Sequence, residues 1–200
     1  MLENRYEKQF WEQDEYVMGI DEAGRGPLCG PLVVACCILP INYSNEEIND
    51  SKQLTEKKRE KLFSEIIHDA HHYEFRIVSP AEIDRLDIYH ATKKAMDELS
   101  LSSSIHSVTL TDAMPLGRSD VIDIVKGDAK SVSIAAASIL AKVLRDHIMK
   151  GYDVLYPQYG YAAHKGYGTK KHLEMMDKYG LNPLYRMSFH PCRERQLKSF

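Results

Sequence analysis

The chain has no apolar run approaching the roughly 20 residues a membrane-crossing helix needs, so a helical span is excluded. It has no CxxC pair, and its four cysteines outline neither a zinc site nor a disulfide framework. Cys36 and Cys37 lie side by side in an apolar run and read as small buried hydrophobes. The opening Met1-Leu2-Glu3-Asn4-Arg5-Tyr6-Glu7 is acidic and polar, unlike a secretory signal. A reducing, cytoplasmic setting is the expectation. No GxxxxGK[ST] sequence is present, which excludes a P-loop. Residues 24–30 spell GxGxxxG, one position longer than a dinucleotide fingerprint, and an apolar strand follows where a helix must begin. No internal repeat or low-complexity tract is visible.

What remains is an ordinary globular composition, 44% hydrophobic and 28% charged over 200 residues. That length can bury a substantial core in one domain, with room for a C-terminal appendage. The net charge of −3 conceals an asymmetry: residues 1–125 sum to −10 and residues 126–200 to +7. A basic C-terminal third suits a polyanion-binding face, though chance clustering on solvated helices gives the same numbers.

The pattern of elements is mixed. Residues 4–14 read as a short polar helix and 17–21 as a strand. Residues 31–39 form a continuous apolar run, long enough for a strand buried on both faces. Thr55 is a plausible N-cap for a helix to about residue 71, and 73–78 reads as a strand. Ser79-Pro80-Ala81-Glu82 combines an N-cap serine, a proline at the first helical position and a glutamate two residues on, starting a helix that runs to about residue 99. Strands are predicted at 107–110 and 121–125, and a strongly apolar helix at 131–150. The tail is loop-rich to Gly168, with a helix from Thr169 to Gly180. Tandem strands followed by alternation with helices point to an α/β fold, a mixed sheet covered by helices on both sides.

Carboxylates punctuate the strand ends. Asp21 and Glu22 close the first strand, Asp112 follows the fourth and Asp128 comes just after the fifth. Singly, each has a bland reading as a cap or turn residue. Together they occupy the end of the sheet where α/β folds build their sites. Four carboxylates in a small space repel one another and need a divalent cation to stay ionised together, and oxygen ligands suit Mg²⁺ or Mn²⁺. Beside them, Gly24-Arg25-Gly26 would let main-chain N–H groups approach a ligand closely, although a plain tight turn also explains it. His164-Lys165-Gly166-Tyr167-Gly168-Thr169-Lys170-Lys171-His172 mixes basic residues, glycines and an aromatic ring, as a nucleic-acid contact or a solvated loop would. His68, His71 and His72 match no metal-ligand spacing and read as surface residues.

Five ordered blocks carry a resemblance: GIDEAGRGPLCGPLVVA at 19–35, DSKQLTEKKRE at 50–60, TDA at 111–113, KGDAKSVSIAAASILAKVLRD at 126–146 and HKGYGTKKH at 164–172. With them the chain resembles the bacterial ribonuclease HII family over nearly its whole length. The resemblance implies an RNase H-like fold over residues 1–150 with a helical C-terminal extension over 151–200 that contributes substrate contacts. It implies that Asp21, Glu22, Asp112 and Asp128 are the active-site acids, holding one or two Mg²⁺ or Mn²⁺ ions that activate water. It further implies that the main chain of Gly24, Arg25 and Gly26 reads a ribose 2′-hydroxyl, that Tyr167 packs on the deoxyribose just 3′ of that ribonucleotide, and that Lys52 lies near the scissile or adjacent phosphate. The expected reaction is hydrolysis 5′ of a ribonucleotide, in RNA–DNA hybrids and at single ribonucleotides in duplex DNA, leaving 3′-hydroxyl and 5′-phosphate ends. The expected partners are those nucleic acids, with no membrane and no obligate protein, for a monomer. Asp87 departs from the family, which usually has Asn there. A junction resolvase would use similar acids without reading a 2′-hydroxyl, and a non-catalytic binding module would bind without cleaving.

Overall fold

In a computed structural model the chain is described over residues 4–48, 51 and 54–197, apart from the side chain of Arg5. Its frame is a five-stranded mixed sheet in the order β3-β2-β1-β4-β5. The strands are β1 (Tyr16–Ala23), β2 (Leu32–Ile38), β3 (His72–Val78), β4 (His106–Asp112) and β5 (Val121–Ile124). β1 pairs antiparallel with β2 and parallel with β4, while β4 and β5 are parallel. Three adjacent strands therefore end on the same edge.

The continuous apolar run at 31–39 is the doubly covered strand its composition predicts: all seven residues of β2 are buried. On one face, Val33, Ala35 and Cys37 pack with α1 (Arg5–Trp11), α2 (Glu56–Asp69) and α5 (Val132–Leu155). On the other, Val34, Cys36 and Ile38 pack with α3 (Pro80–Leu86) and α4 (Ile88–Ser100). All four cysteines are free and buried. Thr55 and Ser79 cap α2 and α3 through side-chain oxygens that accept from Lys58 N–H and Glu82 N–H.

α5 makes the closest approach to the sheet, and Gly19 is the reason. A Cβ at Gly19 would lie 2.1 Å from the Ser133 carbonyl carbon, so only glycine lets this helix backbone settle on β1. Glu7 fixes the start of α5 from a distance. Its buried carboxylate accepts from Ser131 Oγ (2.5 Å) and Ser133 N–H (3.1 Å), a negative charge placed at the positive end of a helix.

The structure differs from the sequence reading in three places. The helix predicted from Ser79 to about residue 99 is two helices, broken where Asp87 adopts φ +63° and its side chain caps α4 by accepting from His90 N–H. Asn and Asp both serve as N-caps, so the aspartate keeps the cap at this position. α5 continues to Leu155, past the boundary expected at 150. The tail carries two helices beyond the predicted one (α7, Lys170–Tyr179): short α6 (Tyr161–His164) and terminal α8 (His190–Leu197). A third core cluster joins this tail to the rest, with Tyr159, Tyr161, Met176, Tyr185 and Cys192 packed on Leu28, Cys29 and Met149. Among the described residues, no helix is long and apolar enough to cross a membrane.

Candidate active site

Asp21, Asp112 and Asp128 reach the same small space from the carboxyl ends of β1 and β4 and from the turn just past β5. One oxygen from each lies within 4.8 Å of the other two, the only such group of three or more potential metal ligands among the described residues. Asp21 and Asp128 are buried and Asp112 is partly exposed. Local backbone sets their aim. The Gly127 N–H donates to Asp112 Oδ1 at 2.7 Å, linking the β4 acid to the 3₁₀ turn (Gly127–Ala129) that carries Asp128. Ala113 and Lys126, which neighbour these acids in sequence, hold positive φ values of 52° and 56°. Such sparsely populated conformations persist only where surrounding structure over-determines them.

Burial pushes the Asp21 carboxyl well above the usual carboxylate range, and the charges of Glu22 and Asp112 raise it further. The Glu22 N–H (2.7 Å to Oδ1) and Ser138 donate to it and oppose that rise. Crowded oxygen donors whose mutual repulsion favours protonation are what a hard divalent cation relieves, and the donor set fits Mg²⁺ or Mn²⁺. Glu22 stands next to this trio. Consecutive strand residues alternate in direction, and the Glu22 carboxylate lies 3.5 Å from the half-exposed Arg25 guanidinium.

The acids adjoin a cleft of about 240 Å³, lined by Glu22 from the end of β1, by Gly24, Arg25, Gly26 and Tyr167 from loops and by Ser138, Lys142 and Arg145 from α5. Gly26 and Tyr167 face each other closely: a Cβ on Gly26 would sit 3.6 Å from Tyr167 Cε1. Gly24 holds φ +102°, and a Cβ there would be 2.1 Å from Arg145 Nε. Tyr167, 47% exposed, offers its ring to solvent while its backbone is held from behind. Its carbonyl accepts from Thr169 N–H (2.8 Å) and from His172 Nδ1–H (2.8 Å). His172 Nε2 accepts from Tyr185 O–H at 3.0 Å, and its ring stacks on His164 at 4.1 Å. Burial lowers the His172 pKa to about 4, so the imidazole stays neutral.

Of the residues expected at the site, Asp21, Asp112 and Asp128 converge, while Glu22, Gly24, Arg25, Gly26 and Tyr167 line the adjoining cleft. Lys52 lies outside the described residues. Sequence reasoning missed Ser138, Lys142 and Arg145, although the signal was present. Their spacing of four and three, continued by Met149, is one stripe of a helix, and two cations on the buried side of an apolar helix are conspicuous. It also missed Arg186, an isolated arginine in a loop with no pattern around it.

A family model described as Ribonuclease HII matches residues 18–192. The Ribonuclease HII of Listeria innocua is 48% identical over 196 residues, covering 96% of this chain and 75% of that protein. The Ribonuclease HII of Ruminiclostridium cellulolyticum is 51% identical over 177 residues, covering 87% and 69%. Among solved structures, the ribonuclease H2 from Pyrococcus horikoshii OT3 superposes with a TM-score of 0.75 at 30% identity, covering 92% of this chain and 98% of that one.

Proposed function

The chain belongs to the ribonuclease HII family, whose members are metal-dependent ribonuclease H endonucleases, and on that premise we propose that it cuts duplexes immediately 5′ of a ribonucleotide. Its substrates are RNA–DNA hybrids and single ribonucleotides embedded in duplex DNA, and its products carry 3′-hydroxyl and 5′-phosphate ends. The observation that supports this reading is the meeting of three carboxylates within 4.8 Å beside a cleft lined by a glycine loop and an exposed tyrosine.

Asp21, Asp112 and Asp128 would hold Mg²⁺ or Mn²⁺, with Glu22 at the margin. A bound cation of this kind supplies Lewis-acid stabilisation of phosphoryl charge and an acidified water. The remaining work falls to the chain's own groups. Arg25 and Gly26 present main-chain N–H groups to the cleft, where a 2′-hydroxyl acts as acceptor and tells ribose from deoxyribose. The Tyr167 ring packs against the neighbouring sugar. Lys142 and the exposed Lys170 and Lys171 meet the phosphate backbone, and residues 151–200 serve as the extension that supplies Tyr167 and the last two of these lysines. Phosphate contacts fix the register without reading bases, so little sequence preference is expected. Affinity should fall steeply with salt, by about 0.9 log units per neutralised phosphate for each tenfold rise in concentration.

The deciding experiment uses a DNA duplex carrying one ribonucleotide, its all-DNA counterpart and a continuous hybrid, each with Mg²⁺, Mn²⁺ or EDTA. Nicking confined to ribonucleotide-containing strands, at the 5′ phosphodiester and only with metal, is the expected result. Equal nicking of the all-DNA duplex would sink the reading.

A further inference from the structure

Beneath the glycine loop lie two buried arginines that make no ion pair among the described residues. Arg145 and Arg186 are 1% and 0% exposed, and each is satisfied by backbone carbonyls. Arg145 donates from Nε to Pro31 O (2.9 Å), from Nη1 to Lys165 O (3.0 Å) and from Nη2 to Cys29 O (3.2 Å). Arg186 donates to Gly30 O from Nε (3.1 Å) and Nη2 (2.9 Å), to Arg25 O from Nη1 (3.1 Å) and to Gly24 O from Nη2 (2.7 Å). Burying a guanidinium is costly unless its donors are matched, so an arginine here needs its carbonyl cage as much as the cage needs it.

The cage has a geometric consequence. In a trans peptide, the N–H of one residue points opposite the C=O of the residue before it. With the Gly24 and Arg25 carbonyls turned inward onto Arg186, the N–H groups of Arg25 and Gly26 turn outward. Both residues are exposed, both line the cleft, and neither N–H has an intrachain acceptor among the described residues. The segment carrying Arg186 is itself anchored to the core. Arg186 N–H donates to Leu28 O (2.9 Å), and Gly30 N–H donates to Leu184 O (2.8 Å). The Asp84 carboxylate of α3 accepts from Met187 N–H (2.8 Å), Ser188 N–H (2.9 Å) and Ser188 Oγ–H (2.6 Å).

We propose that Arg186 is a positioning residue for sugar discrimination: by holding the Gly24 and Arg25 carbonyls it turns the Arg25 and Gly26 N–H groups toward the ribose, with Asp84 bracing the segment that carries it. The proposal rests on the reading of this loop as the 2′-hydroxyl sensor. It differs from a plain folding role because loss of the clamp frees two peptide planes while leaving the acids and the phosphate-contacting lysines in place.

The test is fluorescence anisotropy in Ca²⁺, which takes the same kind of oxygen donors, with a DNA duplex carrying one ribonucleotide and the identical all-DNA duplex. The wild-type chain is expected to prefer the first. Arg186→Lys keeps the charge but not the forked geometry, and should cut that preference by about tenfold with all-DNA affinity within about twofold. Asp84→Ala should lower the preference in the same direction by a smaller factor. A wild-type chain with no preference would overturn the sensor reading itself. A wild-type preference that Arg186→Lys leaves intact would overturn the positioning role alone. Should Arg186→Lys not fold, Asp84→Ala decides the matter, an unchanged preference counting against the proposal.

Discussion

The acid pocket and the glycine-loop cleft touch, but they are held in place by different means. The acids sit at strand ends or on the turn just past one, and the orientation of two comes from nearby backbone: the Gly127 N–H on Asp112 and the Glu22 N–H on Asp21. The loop is clamped by the Arg186 guanidinium and packs at Gly24 on that of Arg145, both more than a hundred positions away in sequence. Strand ends are stiff and tolerate little adjustment, whereas a loop caged by side chains can be altered through its cage. Chemistry and recognition should therefore fail separately.

The sharpest break is Asp112→Asn. It removes one of three converging oxygen donors without changing side-chain size, and turnover should fall by about three orders of magnitude or more. Thermal unfolding should stay close to wild type. Near-normal turnover in the purified variant would remove Asp112 from the site.

Gly19→Ala strikes the frame that serves both regions. The added methyl would meet the Ser133 backbone at 2.1 Å, and backbone cannot step aside as a side chain can. A loss of about 3 kcal/mol or more is expected by denaturant titration, at the upper end of overpacking effects. A midpoint within error of wild type would show that α5 does not rest on β1 in this way.

Acid should act on the recognition side. The folded chain keeps His172 neutral down to about pH 4, while the unfolded chain takes up a proton near pH 6.5. Stability tied to this residue is complete above pH 6.5 and drains away as pH falls toward 4, by roughly 2–3 kcal/mol in all. Urea titrations at intervals across that window should show the decline, and His172→Gln should flatten it. A wild-type profile level from pH 7 to 4.5 would contradict a buried neutral imidazole.

The smallest effect belongs to Tyr167→Ala. Cleavage at an isolated ribonucleotide should fall by about tenfold, from lost ring packing, and cleavage within a continuous hybrid by less. Equal losses on both substrates would argue against a role at the sugar next to the ribonucleotide.

This contrast also explains what the chain disclosed before its fold was known. Asp21, Asp112 and Asp128 were legible because each lies at or just past the end of a strand, and strand ends on one edge converge whatever the details of packing. Gly24 and Gly26 were legible as a backbone-approach loop. The break at Asp87 was hidden because a positive-φ aspartate looks like any polar helix residue until its neighbours require it to cap. Arg186 was hidden more deeply. Its partners are carbonyls, which every residue has, so no sequence pattern marks them. The spacing of Ser138, Lys142 and Arg145 was readable, but a strongly apolar helix drew attention to its greasy side.

α5 spans 24 residues, about 36 Å at the usual rise. Its first turn follows the segment bearing Asp128, its second sets Ser138 against Asp21, and near its middle Arg145 packs under the loop. The same rod thus spans the interval between the proposed cleavage site and the proposed sugar sensor. With a rigid gauge between the two, the cut should fall at a constant offset from the ribose in every duplex, long or short.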